Sequence, residues 1–363
     1  MRYIFAGGGT GGHIFPAISI ADCIRRIDSD AKILFIGSKG RLEEKLVPQN
    51  NYEIKIIELH GLNKGKVISN LNLPFMIIRA VREVKKIVKE FNPDAVVGTG
   101  GYAAAPLIYV AEKAGIPVFM QEGNAIPGKV TKMFAKKAAR IFVNFSDAKK
   151  YFRYKDNLTV EAHPIRFSKG KIRRTEALGF FKLEEHPVLF VFGGSQGASA
   201  INSAVLKIAD KLSELNINII WQTGKKDFNK IKESTSKHEN RIKVFEFINE
   251  MNIAYSAADL CVCRAGISSI MELAALSMPS LLIPYRFAAE NHQEKNALAL
   301  SSADACIVLK ENELDDKLFS TIAGYIADSR KLETLGRNIN KFSDPDSALK
   351  IANEIFNSIK NGN

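Results

Sequence analysis

His13 closes a run of glycines, Gly7-Gly8-Gly9-Thr10-Gly11-Gly12-His13, directly after the apolar stretch Tyr3-Ile4-Phe5-Ala6. An unperturbed imidazole titrates near pH 6.5, and neighbours without side chains leave it uncovered, which suits a group that moves a proton near neutral pH. A second run, Gly193-Gly194-Ser195-Gln196-Gly197-Ala198, follows Val188-Leu189-Phe190-Val191-Phe192. A glycine turn that opens a helix aims unpaired backbone N–H groups at whatever binds there, and the helix dipole favours an anion. Ser195 adds a hydroxyl donor to the second turn, although a plain Ser N-cap reads the same way. The pair of turns points to two nucleotide-binding-type units and to chemistry on a phosphate-bearing donor.

Three further clusters carry polar groups to strand ends. Arg264-Ala265-Gly266-Ile267-Ser268-Ser269-Ile270-Met271-Glu272 follows an apolar run. Gly266 allows the turn, Ser268 and Ser269 enter the first helical turn, and the Glu272 carboxylate suits the vicinal hydroxyls of a ribose. An early-helix Glu favoured by the dipole is the plainer alternative. Glu290-Asn291-His292-Gln293 opens another helix with an imidazole and an amide suited to sugar hydroxyls, or with a solvated helix start. Gly100-Gly101-Tyr102 and Glu122-Gly123-Asn124 end two consecutive strands and form a candidate pocket for a second substrate.

The elements that must position these groups alternate throughout. Short β-branched apolar runs are followed by helical patterns, the signature of parallel α/β architecture. The expected strands of the first half lie near 2–6, 32–37, 53–58, 94–98, 117–121, 140–144 and 158–161. Helices are expected near 14–27, 40–48, 74–91, 103–114, 127–137 and 147–152. In the second half strands are expected near 187–192, 217–222, 242–246, 259–263, 280–284 and 305–308, with helices between and after them. The expected domains are 1–165, on the acceptor and membrane side, and 166–344, on the nucleotide side. A last helix, about 345–360, is expected to start at the cap-and-first-turn pair Asp344-Pro345 and to pack with residues to 363 back onto the first domain.

At 363 residues, with 46% hydrophobic residues, the chain is long for one core and sufficient for two. No apolar run approaches the ~18–20 residues of a membrane span, and no signal peptide is visible before the first strand. Cys23, Cys261, Cys263 and Cys306 read as buried reduced thiols, because no second Cys or His pair has metal-ligand spacing. These features predict a cytoplasmic protein. Of the net charge of +12, residues 1–165 carry +10, from 25 Lys and Arg against 15 Asp and Glu. A localised excess of this kind implies an anionic partner. Nucleic acid is disfavoured, because aromatic residues are not interleaved with basic clusters.

The basic excess includes residues 71–91, which join apolar and cationic groups. Ile77, Val81, Val84, Val88 and Phe91 read as the core stripe of a helix, while Leu71, Leu73, Phe75, Met76 and Ile78 are surplus to it. Arg79, Arg82, Lys85, Lys86 and Lys89 line another face. Apolar groups beside Lys and Arg fit a surface that dips into an anionic bilayer, whereas a buried helix with a solvated basic face is the alternative.

Gly7, Gly9 and Gly12 match a dinucleotide fingerprint, but Phe35-Ile36-Gly37-Ser38 offers no acid for the ribose at the end of the second strand. No nicotinamide, flavin or other cofactor is therefore expected. Asp28-Ser29-Asp30 and Asp344-Pro345-Asp346 have Asp-x-Asp spacing but read as turn and cap residues, so no metal is expected either.

Taken together, the runs at 8–16, 100–102, 122–124, 164–166, 193–198, 247–248, 263–266, Glu272 and 292–297 occur in an order that resembles the peptidoglycan N-acetylglucosaminyltransferases of GT-B fold. The resemblance implies two Rossmann-like domains facing a central cleft. It implies an enzyme peripheral to the cytoplasmic face of the bacterial plasma membrane. The reaction implied is inverting transfer of GlcNAc from UDP-GlcNAc to the C4 hydroxyl of MurNAc in a lipid-linked MurNAc-pentapeptide acceptor, in peptidoglycan synthesis. By matching position it places donor contacts at Thr10, Gly11, Gly12, Asn124, Arg166, Ser195, Ile248 (through its backbone), Ile267, Ser268, Ser269, Ile270, Met271, Glu272 and Gln293. His13 is the expected base and Glu122 the second choice, with Gly100, Gly101 and Tyr102 on the acceptor side. Phe75, Met76, Ile78, Arg79 and Arg82 are the expected membrane residues. The chain departs from the family pattern at Gln121 and Gly123 (usually His-Glu-Gln-Asn) and at His163 (usually Gly-Asn-Pro). A UDP-GlcNAc epimerase or a different glycolipid glycosyltransferase would share the fold.

Overall fold

The computed structural model describes residues 1–59, 73–165, 170–194 and 197–362. The chain divides into two compact units, Met1–Arg166 with Asp344–Asn363, and Phe167–Ser343.

The first unit runs β1 (Arg2–Gly7), α1 (Gly11–Ile27), β2 (Lys32–Ser38), α2 (Leu42–Gln49) and β3 (Glu53–Ile57). It continues with α3 (Leu73–Phe91), β4 (Ala95–Gly100), α4 (Ala104–Lys113), β5 (Val118–Glu122), α5 (Lys129–Phe134), β6 (Arg140–Val143) and β7 (Leu158–Val160). The strands form one sheet in the order β3-β2-β1-β4-β5-β6-β7. All its pairings are parallel, for example Phe5 beside Phe35 and Val97. Helices cover both faces, so the central strands read as unbroken apolar runs, and Tyr3, Ile4, Phe5 and Ala6 are all fully buried.

The second unit runs α6 (Arg174–Phe181), β8 (Val188–Phe192), α7 (Ser199–Glu214), β9 (Asn218–Gln222), α8 (Phe228–Ser234) and β10 (Ile242–Phe245). Next come α9 (Met251–Ala257), β11 (Leu260–Cys263), α10 (Ile267–Ala275), β12 (Ser280–Leu282), α11 (His292–Ser301) and β13 (Ile307–Val308). α12 (Leu314–Ile326) and α13 (Ser329–Asn340) end this unit, and α14 (Ser347–Lys360) belongs to the first. The second sheet is also parallel, in the order β10-β9-β8-β11-β12-β13. Both sheets reverse direction of growth beside their first strand, which is where α/β sheets form a crevice at the carboxyl edge.

α14 packs Ala348, Ile351, Ala352 and Ile355 into the cluster formed by Ile14, Ile18 and Phe5. Fully burying each of Ile351 and Ile355 contributes about 1.5–3 kcal/mol, enough to hold a terminal helix in place. This helix starts at Ser347 behind Asp346, later than the Asp344-Pro345 start read from the sequence. The Asp344 carboxylate instead accepts the Asp346 N–H at 2.9 Å and pairs with Lys350, so it shapes the turn before the helix. Residues 146–151 form a 3-10 segment rather than an α-helix, and the helix expected over 127–137 is the short α5 followed by a 3-10 turn.

The core stripe of α3 holds at Val84 and Val88, with Val81 and Phe91 packed against the same cluster, and departs from the expected one at Ile77. Ala80, Val84 and Val88 are buried and Met76 packs against the same cluster, whereas Ile77 is 44% exposed. Met76-Ala80-Val84-Val88 is a continuous i, i+4 row, and the small Ala80 lets the helix sit close to the sheet. Met76 therefore belongs to the core and leaves Phe75 and Ile78 as the outward pair, 74% and 50% exposed.

Candidate functional site

In the first unit β1, β4 and β5 are neighbours, so their carboxyl ends bring the Gly7–His13, Gly100–Tyr102 and Glu122–Asn124 segments to one edge. Gly8 N–H donates to Gly100 O at 3.2 Å. Gly9 and Gly101 have φ of +85°, and a side chain on Gly101 would run into the Gly8 backbone. Thr10, exposed and extended, is the N-cap of α1, with Gly11, Gly12 and His13 in the first helical turn. His13 is fixed twice. Its Nδ1 lies 2.9 Å from Thr99 O, and Thr99 Oγ1 donates to His13 O at 2.6 Å. A carbonyl can only accept, so Nδ1 carries the proton and Nε2 carries the ring's lone pair. Tyr102, just beyond the glycines, is 56% exposed.

Glu122 is arranged differently. Its Oε1 accepts from Asn124 N and Nδ2, both at 3.1 Å, and its Oε2 accepts from Gly128 N at 2.8 Å and Thr131 Oγ1 at 2.9 Å. Four donors on a buried carboxylate organise the loop after β5 and place Asn124. With both of its oxygens occupied by these donors, the geometry favours His13 over Glu122 as base.

Gln121 and His163, two of the departures from the family pattern, meet each other. Gln121 Nε2 lies 2.9 Å from His163 Nδ1, and His163 N–H donates to Asn144 Oδ1 at 2.9 Å. Burial, aided by the charge of His13, holds the His163 pKa down to about 3, so the ring is neutral near pH 7.

Sequence reading missed Glu43. It is 1% exposed, and its two oxygens accept Ser38 N–H at 3.0 Å and Gly9 N–H at 2.9 Å. A side chain on Gly8 or Gly37 would overlap it. It stands one turn after β2, and nothing in Arg41-Leu42-Glu43-Glu44 separates it from its solvated neighbour.

In the second unit β9, β8, β11 and β12 are adjacent, so the second glycine turn, the start of α10 and the loop after β12 share one edge. Gly194 and Gly197 have φ of +82° and +76°. Gln222, also missed, links two pieces of this edge. Its Nε2 donates to Gly194 O at 3.1 Å, and its Oε1 accepts Ile248 N–H at 2.8 Å. The Ile248 N–H is therefore used inside the unit. The α10 segment splits by burial. Ile267, Ile270 and Met271 are in the core, at 7%, 0% and 1% exposure, so only their backbone could meet a ligand. Ser268, Ser269 and Glu272 are half-buried. Glu272 Oε2 accepts from Tyr255 OH at 2.9 Å, and burial raises its pKa to about 7 against the pull of that bond. Gln293 Oε1 accepts Tyr285 N–H at 2.9 Å, leaving its NH2 group as the donor it can offer. Arg264 pairs with Glu311 at 2.6 Å beneath the same loop. Arg166 and Ser195 lie outside the described residues, as does Leu71.

Beside Tyr102, α3 and α4 line a half-open cavity of about 1290 Å³. Its wall includes Ile77, Ile78, Val81, Tyr102, Tyr109 and Met133, with Arg82, Lys85, Lys89 and Lys113 among its lining. Arg79 is paired with Glu58 at 3.3 Å. No helix among the described residues is long and apolar enough to cross a membrane. All four cysteines are buried and free, and no group of three or more His, Cys, Asp or Glu among the described residues is placed to hold a metal ion.

Two parallel Rossmann-like units with glycine turns at their carboxyl edges are the architecture of the GT-B-type glycosyltransferases. Residues 3–143 match the glycosyltransferase family 28 N-terminal domain and residues 188–351 its C-terminal domain. The chain is 39% identical over 360 residues to the UDP-N-acetylglucosamine–N-acetylmuramyl-(pentapeptide) pyrophosphoryl-undecaprenol N-acetylglucosamine transferase of Porphyromonas gingivalis, covering 98% of this chain and 95% of that one. It is 36% identical to the like-named protein of Christiangramia forsetii, over 99% and 98% of the two chains. The crystal structure of Acinetobacter baumannii MurG superposes with a TM-score of 0.79 at 23% identity, covering 98% of this chain and 99% of that one. A UDP complex of Staphylococcus aureus MnaA shares the fold at 0.70 and 12% identity, over 99% and 96% of the chains. The chain belongs to the family of these N-acetylglucosamine transferases, and it is a glycosyltransferase.

Proposed function

We propose that this chain transfers GlcNAc from UDP-GlcNAc to the C4 hydroxyl of the MurNAc in pyrophosphoryl-undecaprenol-linked MurNAc-pentapeptide, with inversion at the anomeric carbon. The second unit binds the donor. The helix start at Ile267–Ser269 and the turn with Ser195 meet the diphosphate, Glu272 takes the ribose hydroxyls, the Ile248 carbonyl reads uracil, and Gln293 reaches the sugar. Thr10, Gly11, Gly12, Asn124 and Arg166 complete the donor contacts. Gly100, Gly101 and Tyr102 face the acceptor. His13 Nε2 takes the proton from the acceptor hydroxyl as its oxygen bonds to C1 of GlcNAc. The C1–O bond to UDP breaks, its electron pair stays on the β-phosphate, and backbone N–H groups stabilise that charge.

The observation that carries this reading is His13 held through Nδ1 by Thr99 O, which leaves Nε2 as the base in the chemically useful tautomer. The enzyme docks on the cytoplasmic face of an anionic membrane through Phe75 and Ile78 with Arg79 and Arg82 beside them. The basic-rimmed apolar cavity next to these residues supports that placement. Incubation of the purified protein with labelled UDP-GlcNAc, with and without the lipid-linked acceptor, tests the reading. Label should move to the lipid only when acceptor is present. Conversion of UDP-GlcNAc to an isomer without acceptor would replace transfer by epimerisation.

A further inference from the structure

Tyr255 lies on α9 and is fully buried, and its hydroxyl donates to Glu272 Oε2 at 2.9 Å. Its ring meets Phe190 and Phe192 edge to face, with centroids 5.4 and 5.8 Å apart. Phe192 is the last residue of β8, directly before Gly193. One side chain thus ties the strand that carries the second glycine turn to the carboxylate on α10.

We infer that Tyr255 is a positioning residue for nucleotide-donor binding, which orients the Glu272 carboxylate toward the ribose diol and keeps it in its acceptor-only form. The inference rests on the ribose assignment of Glu272 made above. An ionised carboxylate offers about four lone-pair sites, so the phenol can occupy one and leave enough for two ligand hydroxyls. A protonated carboxyl gives up acceptor capacity and presents a donor instead. Burial pushes Glu272 toward that neutral form, and the phenol's hydrogen bond pulls the other way.

The other titratable groups around this pair do not supply that pull. Cys261 and Cys263 of β11 face Tyr255 as thiols whose pKa burial raises, so they stay neutral. The Arg264 guanidinium is engaged by Glu311 and by the carbonyls of Ile283 and Pro284. α13 meets α10 farther along, where Asn340 Nδ2 donates to Ala274 O at 3.1 Å.

Calorimetric titration of UDP-GlcNAc across about pH 5–9 tests the inference on wild type, Tyr255→Phe and Glu272→Ala. Wild-type affinity should rise through a midpoint near 7. Tyr255→Phe keeps the ring and its contacts with Phe190 and Phe192, and its midpoint should move up by about one pH unit, the size expected of one hydrogen bond to a charged group. At the alkaline end its affinity should approach that of wild type. A Tyr255→Phe protein with an unmoved midpoint overturns the inference and leaves Tyr255 as packing only. Unchanged affinity in Glu272→Ala would instead overturn the ribose assignment itself.

Discussion

Gly100→Ala isolates the placement of the base from its chemistry. Gly100 has φ of +108°, and a Cβ there would overlap Nδ1 and Cε1 of the His13 ring. Nδ1 is also the atom hydrogen-bonded to the Thr99 carbonyl, so the methyl group must push the imidazole by roughly an ångström off that partner, a displacement that costs about 10² in rate when it misaligns a reacting group. The backbone adds about 1–3 kcal/mol of local strain, which lowers the Tm of this variant as well. Turnover with the lipid-linked acceptor should therefore fall about 10²-fold while calorimetric affinity for UDP-GlcNAc changes little. His13→Ala removes the base outright and should cost about 10²–10⁴ in turnover. Because both changes act on one imidazole, the double variant should be no slower than His13→Ala alone. Wild-type turnover in a folded Gly100→Ala protein would refute the assignment of His13, and full additivity would show that Gly100 acts on something other than that ring.

Glu272→Ala should weaken UDP-GlcNAc binding by about 1–3 kcal/mol by calorimetry, the usual loss for charge-assisted hydrogen bonds. The same carboxyl has its folded-state pKa raised to about 7, so the folded protein holds a proton that the unfolded chain releases at lower pH. The Glu272 contribution to stability should thus decline as pH rises from about 4.5 to 7, while His163, held neutral in the fold, contributes in the opposite sense below about 6.5. The difference between wild-type and Glu272→Gln thermal melts should isolate the Glu272 part, and the variant should bind donor more weakly. Binding to anionic vesicles should drop sharply from low to high salt, as the screening length shrinks from about 10 Å at 0.1 M to 3 Å at 1 M. Phe75→Ser with Ile78→Ser should weaken co-sedimentation without changing UDP-GlcNAc affinity, and wild-type binding by that variant would remove this surface from the docking reading.

The glycine turns, the alternating elements and the strand-end clusters were legible because each is written in consecutive residues. An apolar run followed by glycines is a strand, a turn and a helix start, whatever lies elsewhere in the chain. What escaped depends on partners far away in sequence. Glu43 is 34 residues from the Gly9 N–H it accepts, and Thr99 is 86 residues from His13. Tyr255 reads as one aromatic residue on a short helix until its hydroxyl is seen on Glu272. One position of the α3 stripe, Ile77, was misread for a different reason. Two apolar rows run along that helix, and the row through Ile77 and Val81 is bulkier than the one through Met76 and Ala80. Burial follows the row that lets the helix approach the sheet closely, which residue size alone does not reveal.

The two glycine turns are nearly synonymous in sequence, yet they differ electrically. Beneath the first lies Glu43, a carboxylate that already accepts the Gly9 N–H and that the missing side chains of Gly8 and Gly37 make room for. A phosphate arriving at that N–H would displace an internal partner and meet a like charge in a buried setting, where charges are weakly screened. The second turn is braced by Gln222, whose neutral amide donates to the Gly194 carbonyl and brings no charge. Bracing through a carbonyl holds the loop, and the carboxylate at the start of α7, Asp227, accepts from the side chains of Asn202, at 2.8 Å, and Ser199. The difference in how the two glycine turns are braced supports the proposal that the donor diphosphate meets the second. The first turn, beyond the donor contacts proposed for Thr10, Gly11 and Gly12, has a mechanical role: its glycines and Glu43 set the path of the chain into α1, and that path determines where the His13 imidazole stands.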